Sequence, residues 1–290
     1  MAERTERITE FERDGLVFDV TDSGPLDGPV VVLLHGFPER ATCWRDVTPL
    51  LNAAGLRTLA PDQRGYSRRA RPSRRRDYVV PELSADVAAL IGKVGGPVHL
   101  VGHDWGAVVG WDLAIHANRS GGQDLISTYT AFSVPHMAAY LRALRGPQAL
   151  KSWYMAAFNL PLLPEKLADA GVMHRILRGT GMTRADVARF QTEIVEYGAL
   201  PGALGYYRAL PLSLTGLRGD MTVRVPTTMV WSDGDTAIDR RGPEQTAKYC
   251  SGPYEYVELT GVSHWIPTHA PREAADAILA RVGLPGGRGE

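Results

Sequence analysis

L-V-G-H-D-W-G-A-V-V-G-W, residues 100 to 111, decides the fold of this 290-residue chain. Pro97 to Val101 is a short apolar run of strand type, and Ala107 to His116 is an apolar run of helical length. Gly102-His103-Asp104-Trp105-Gly106 joins them, with small residues two positions either side of Asp104. That layout suits a strained strand-to-helix turn in which the chains approach too closely for Cβ atoms, leaving the apex side chain exposed to a cleft. The apex is a carboxylate where ester hydrolases usually carry serine. A carboxylate attacks acyl carbons poorly, but it can displace a leaving group at a strained or activated saturated carbon and form an ester with the substrate. Releasing that ester requires a general base, a water molecule and donors for an oxyanion.

Outward from this turn the pattern alternates. Ile8 to Arg13 and Leu16 to Val20 read as strands about an Asp14-Gly15 turn, and P-V-V-V-L-L-H-G at 29 to 36 reads as a central parallel strand covered on both faces. A helical pattern spans Trp44 to Ala54, Arg57 to Ala60 is a strand, Pro81 to Val94 a helix and Leu125 to Phe132 a strand. After Pro135 only helical patterns occur until V-R-V-P-T-T-M-V-W at 223 to 231; a strand at Tyr256 to Leu259, a helix at Pro271 to Arg281 and a frayed tail from Gly283 follow. The expected class is α/β, a doubly wound, mostly parallel sheet with an inserted helical lid. Residues 1-136 and 220-290 form its core, and 137-219 form a cap over the strand ends.

His264, in G-V-S-H-W after the last strand, is the histidine best placed as base, and W-S-D-G-D at 231 to 235 offers Asp235, with Asp233 as rival, to orient it. In H-G-F-P at 35 to 38, the Phe37 N–H can join the Trp105 N–H as an oxyanion hole, and His35 reads as a structural histidine holding that loop. Phe37-Pro38 is a candidate cis bond. Ser152-Trp153-Tyr154 and Gly205-Tyr206-Tyr207-Arg208 place phenols in the insertion; each alone suits core packing as well as catalysis.

Lysine plus arginine and aspartate plus glutamate both number 32, which gives no general electrostatic reason to bind nucleic acid or membrane. The arginines from Arg68 to Arg76 read as a solvated loop, with an anion or partner site as the alternative. Two cysteines make no disulfide framework, and the polar start lacks a signal-peptide core, so a cytoplasmic protein without membrane insertion is expected. The Asn118-Arg119-Ser120 sequon then carries no meaning. No metal-spaced histidine cluster or dinucleotide fingerprint is present, so no metal or cofactor is expected.

Together H-G-F-P at 35 to 38, D-Q-R-G-Y at 62 to 66, G-H-D-W-G at 102 to 106, S-W-Y-M-A-A-F-N-L-P at 152 to 161, Y-Y-R at 206 to 208, the acid loop at 231 to 235 and G-V-S-H-W at 261 to 265 resemble the α/β-hydrolase-fold epoxide hydrolases. The resemblance runs from about Leu16 to Arg281. It implies the α/β-hydrolase fold and a hydrolase acting on ether bonds, which turns a small apolar epoxide and water into a vicinal diol through a covalent aspartyl ester. Asp104 then corresponds to the nucleophile, His264 to the base, Asp235 to its orienting acid, and the backbone of Phe37 and Trp105 to the oxyanion hole. Tyr154 and Tyr207 correspond to the epoxide-polarising phenols, Tyr206 being the lesser choice for the second. His35, Pro38, Trp153, Phe158 and Trp265 are expected around the substrate. Met155, Leu160 and Leu163 belong either to an apolar pocket or to the insertion's own core. Two departures from the family pattern stand out, Ser232 in place of glycine in the acid loop and Pro211 soon after Tyr207. A haloalkane or haloacid dehalogenase with the same nucleophile is the alternative; phenols turned away from Asp104, with Trp105 and Trp153 facing it, would favour it. A non-catalytic binding protein on the same fold is the minor alternative, and oligomeric state, a homodimer included, stays open.

Overall fold

β-branched runs that no solvent reaches form the centre of the sheet. In the computed structural model, which describes residues 6–117, 125–160, 162–169, 171–215 and 219–284, the strands are β1 (Glu10–Arg13), β2 (Leu16–Ser23), β3 (Val30–Leu34), β4 (Arg57–Pro61), β5 (Val98–His103), β6 (Ile126–Phe132), β7 (Thr227–Ser232) and β8 (Tyr254–Leu259). They make one sheet in the order β1-β2-β4-β3-β5-β6-β7-β8; β2 pairs antiparallel with β1 and β4, and the other pairs are parallel. Every residue of β3 and β7 is buried. Val30, Val32 and Leu34 enter one core, while Val31 and Leu33 enter another on the opposite face. Helices α1 (Thr48–Ala53), α2 (Val80–Val94) and α3 (Trp105–His116) follow from the first half of the chain. α3, alongside α2, is buried nearly all round, which explains an apolar pattern without a polar face.

The chain steps from β3 to β4 on one side and then crosses back to β5 on the other. Loops after β3 and β5 therefore part at the strand ends and leave a crevice at this switch of direction. Register places Leu34 opposite Gly102, so the Gly36-Phe37 turn lies beside Asp104.

Between β6 and β7 the described residues hold helices and no strand: α4 (Met137–Ala143), α5 (Gln148–Lys151), α6 (Trp153–Phe158), α7 (Leu163–Asp169), α8 (Val172–Gly179), α9 (Arg184–Phe190) and α10 (Leu200–Thr215). α11 (Arg241–Gln245), α12 (Ile266–His269) and α13 (Pro271–Val282) complete the chain. Among the described residues no helix is long and apolar enough to cross a membrane.

Some boundaries differ from those the sequence suggests. Trp44 to Ala54 is a 3-10 turn at Ala41–Trp44 followed by the shorter α1, because Trp44 turns into the core against Phe132. The seventh strand starts at Thr227, past Pro226, which has no N–H for a ladder; Val223 keeps only an isolated bridge to Cys250. Pro211, the departure soon after Tyr207, lies inside α10, which runs through it to Thr215. Nor is the arginine run only a solvated loop: Arg71 donates to the carbonyls of Tyr66, Tyr197 and Gly198, and Arg75 to that of Arg208. The sequon at 118–120, the first residues of the polar start and the tail past Leu284 lie outside the described residues.

A Cβ on Gly106 would lie 2.3 Å from the Leu34 carbonyl oxygen, a backbone atom that cannot yield without moving β3. Gly92, on an exposed turn of α2, has open space. Gly106→Ala is expected to lower unfolding free energy by about 3 kcal/mol or more, and Gly92→Ala to raise it by about 0.5–1 kcal/mol, both measured by denaturant melts.

Candidate active site

Asp104 is the residue between β5 and α3, and its backbone holds φ 53 and ψ −117. A non-glycine residue at positive φ costs of order 1–3 kcal/mol and persists only where its surroundings dictate it. Here Gly102 and Gly106 admit the crossing chain: a Cβ on Gly102 would sit 2.3 Å from the Gly106 carbonyl. Gly36 does the same for the neighbouring loop, since a Cβ there would meet the Asp104 Cβ at 2.3 Å.

The Phe37 N–H donates to Asp104 Oδ1 at 2.7 Å, and Trp105, the next residue after Asp104, opens α3, so its N–H is one of those the helix leaves without an intrahelical partner. On the other side His264 Nε2 lies 3.3 Å from Asp104 Oδ2, and His264 Nδ1 lies 2.8 Å from Asp235 Oδ2. Asp235 Oδ1 accepts from the N–H groups of Ala237 and Ile238. Asp233 instead accepts from the Gly261 N–H at 2.6 Å, which ties the acid loop to the histidine loop. Ser232, the departure from glycine, adds to that tie: its buried Oγ accepts from the Val262 N–H at 3.0 Å. The His264 carbonyl is fixed by Ser133 Oγ–H and by His103 Nε2.

Burial alone would push the His264 imidazole down, but the charge of Asp235 and hydrogen bonds to Asp104 and Asp235 outweigh it and raise its pKa to about 10. Asp104 shows the converse: burial favours its neutral form, yet the hydrogen bond and charge of His264 hold its carboxyl below the usual range. The contact between the two therefore favours the protonated ring and the ionised Asp104 carboxyl together. Behind it, burial raises Glu39 to about 7 and lowers His103 to about 4.

Two cavity arms meet at Asp104. One, about 200 Å³, is walled by Trp105, Val108, Met137, Tyr140, Leu141 and Leu144; the other, about 330 Å³, runs past Phe37, Pro38, Phe158, His264 and Trp265 to Trp153. Tyr154 and Tyr207 line both arms, with ring centroids 6.2 Å apart. Burial pushes both phenols well above the ordinary tyrosine pKa, so they remain donors. Tyr206 points elsewhere: its hydroxyl donates to the Arg64 carbonyl within a cluster of Tyr66, Tyr78 and Trp105.

Of the residues expected around a substrate, Pro38, Trp153, Phe158 and Trp265 line the second arm. His35 corrects that expectation. It is fully buried behind the loop, its Nε2 accepting from the Gln63 N–H, and it lines neither arm. Burial lowers its pKa to about 4, so it serves the loop as a neutral ring. Met155 faces the first arm, whereas Leu160 and Leu163 are exposed. Sequence reasoning missed the wall from α4, although Met137, Tyr140, Leu141 and Leu144 recur at helical spacing; the same stripe would mark a packed core. It also missed Gln148 and Lys151, whose side chains donate to the carbonyls of Ala237, Asp235 and Ile238 and so join α5 to the acid loop. No cluster of three His, Cys, Asp or Glu among the described residues could hold a metal ion.

Residues 31–277 match the alpha/beta hydrolase family. The AB hydrolase superfamily protein YfhM of Bacillus subtilis is 32% identical, covering 92% of this chain and 94% of its own length. Epoxide hydrolase A of Mycobacterium tuberculosis is 30% identical, with 96% and 97% covered. The crystal structure of epoxide hydrolase VrEH1 from Vigna radiata superposes with a TM-score of 0.80 at 28% identity, over 94% of this chain and 97% of that one. The chain belongs to the alpha/beta hydrolase family, on the branch that holds these epoxide hydrolases.

Proposed function

We propose that this chain hydrolyses apolar epoxides to vicinal diols, with Asp104 as nucleophile, His264 as base, Asp235 as its orienting acid and Tyr154 and Tyr207 as acids. The observation that carries the reading is a carboxylate at the turn apex, hydrogen-bonded to the Phe37 N–H, in a cavity that two phenols line with it. Residues 137-219 act as a cap on a core of 1-136 and 220-290, and the cap supplies the phenols. Relatives of similar sequence and full-length coverage are named epoxide hydrolases, which supports the same substrate class.

In the first half-reaction the phenols donate to the epoxide oxygen, and these bonds strengthen as it gains charge. Asp104 Oδ2 attacks one ring carbon, the C–O bond breaks, and a phenol protonates the leaving alkoxide. Esterification removes the Asp104 charge, and with it one of the influences that hold the proton on His264. That proton is lost through solvent, the phenolate is reprotonated, and neutral His264 can take a proton from water. The hydroxide equivalent adds to the Asp104 carbonyl carbon, its oxyanion held by the Phe37 and Trp105 N–H groups. Collapse expels the diol oxygen, which takes the proton of the added hydroxyl; the carboxylate is restored and His264 keeps the proton it took from water.

A dehalogenase would need indole or amide donors where the halide departs. Trp105 lines the cavity, but Trp153 is 62% exposed at the rim, while both phenols line the cavity with Asp104. The arrangement supports the epoxide.

In ¹⁸O-water, a single turnover of an aryl or alkyl epoxide is expected to place heavy oxygen in Asp104 and little in the diol; direct labelling of the first-turnover diol would reject the ester route. His264→Gln should lower turnover by about 10²–10⁴-fold and accumulate a protein whose mass has grown by one substrate. Tyr154→Phe and Tyr207→Phe should each slow ester formation by about 10²-fold, read by stopped flow, without slowing ester hydrolysis. Folded His264 retains a proton that the unfolded chain releases above its ordinary pKa of 6.5, so its contribution to stability is full below 6.5 and declines as pH rises through about 10. Asp235→Asn removes the foremost influence raising that pKa, and melting temperatures across pH 6 to 10 should then decline less steeply than in the native chain.

A further inference from the structure

We propose that Asn159 is a positioning residue that sets the Tyr207 phenol by supplying a backbone hydrogen bond that Pro211 cannot make; the inference rests on the proposed role of Tyr207. In an α-helix the N–H of residue 211 would donate to the carbonyl of residue 207. α10 runs through position 211, where proline has no N–H and its ring crowds that carbonyl. Tyr207 is 3% exposed, so its carbonyl, left alone, would be an acceptor cut off from most solvent. The side-chain amide of Asn159 fills the gap: Nδ2 donates to the Tyr207 carbonyl at 3.2 Å.

The same nitrogen donates its second hydrogen to the Met155 carbonyl at 2.9 Å. Met155 follows Tyr154 on α6, so one amide joins the backbones that carry both phenols. Phe158, next to Asn159, packs edge-on against each ring, at 5.5 Å from Tyr154 and 5.0 Å from Tyr207. Aromatic packing holds the rings apart, and the amide sets where α10 lies along them. Arg208 is anchored separately, through Glu165 and the Leu160 carbonyl, so α10 keeps an attachment to this region when Asn159 is truncated.

The test is a double-mutant cycle of Asn159→Ala and Pro211→Ala with two readouts. Stopped-flow ester formation should slow by about 3- to 10-fold in N159A, the worth of one neutral hydrogen bond, with ester hydrolysis unchanged. In the P211A background, where the helix supplies its own N–H, N159A should leave ester formation unchanged. Independently of turnover, the ¹³Cζ signal of Tyr207, assigned by its loss in Tyr207→Phe, should shift in N159A and return in N159A/P211A. Equal slowing by N159A in both backgrounds, or slowing of both half-reactions alike, overturns the proposal. If the native chain opens no epoxide, the functional reading falls and the resonance decides: a signal that N159A leaves in place overturns the positioning role, and a shift reversed by P211A sustains it.

Discussion

The site depends on one forced approach. β3 and the turn after β5 come so close that no side chain fits at 36, 102 or 106, and Asp104 is held in a backbone conformation that it would not adopt alone. That conformation lifts the carboxylate out of the sheet and points one oxygen at the Phe37 N–H. The energy comes from the buried aliphatic layers on the two faces of the sheet, which fix the strands that the turn connects.

Electrostatics then divides the site. The His264 ring, in hydrogen-bond contact with both Asp104 and Asp235, offsets the cost of burying two acidic side chains. On the proposed mechanism it becomes a base when Asp104 turns into a neutral ester. Ordering of the two half-reactions thus follows from charge neutralisation and needs no movement of the histidine loop, which Ser133, His103, Ser232 and Asp233 hold from several sides.

Much of this was legible in the sequence because the decisive residues are local. Gly102 and Gly106 frame Asp104 within one turn, and the continuous apolar run at 30 to 34 declares a strand covered on both faces. Asp235 was the choice and Asp233 its rival, because two carboxylates two residues apart on a loop differ more in direction than in pattern. His35 holds its loop as read, but it was also expected around the substrate, because a histidine beside a reactive loop looks the same in sequence whether its ring faces the cavity or the interior. The α4 wall and the link from Gln148 and Lys151 to the acid loop depend on how the insertion docks, across sequence separations that no local pattern records. Pro211 stood out only as a departure from the family pattern, and the acceptor it orphans is met from another helix.

Asp104, Asp235 and His264 all hang from the ends of β5, β7 and β8, whereas both phenols hang from α6 and α10. On the proposed reading, bond breaking in the ring is therefore shared between two scaffolds, while release of the product belongs to one. Drift in the helices could retune which oxiranes are opened, and how fast, while the saponification machinery underneath keeps its alignment. A lineage could broaden its diet without rebuilding its engine.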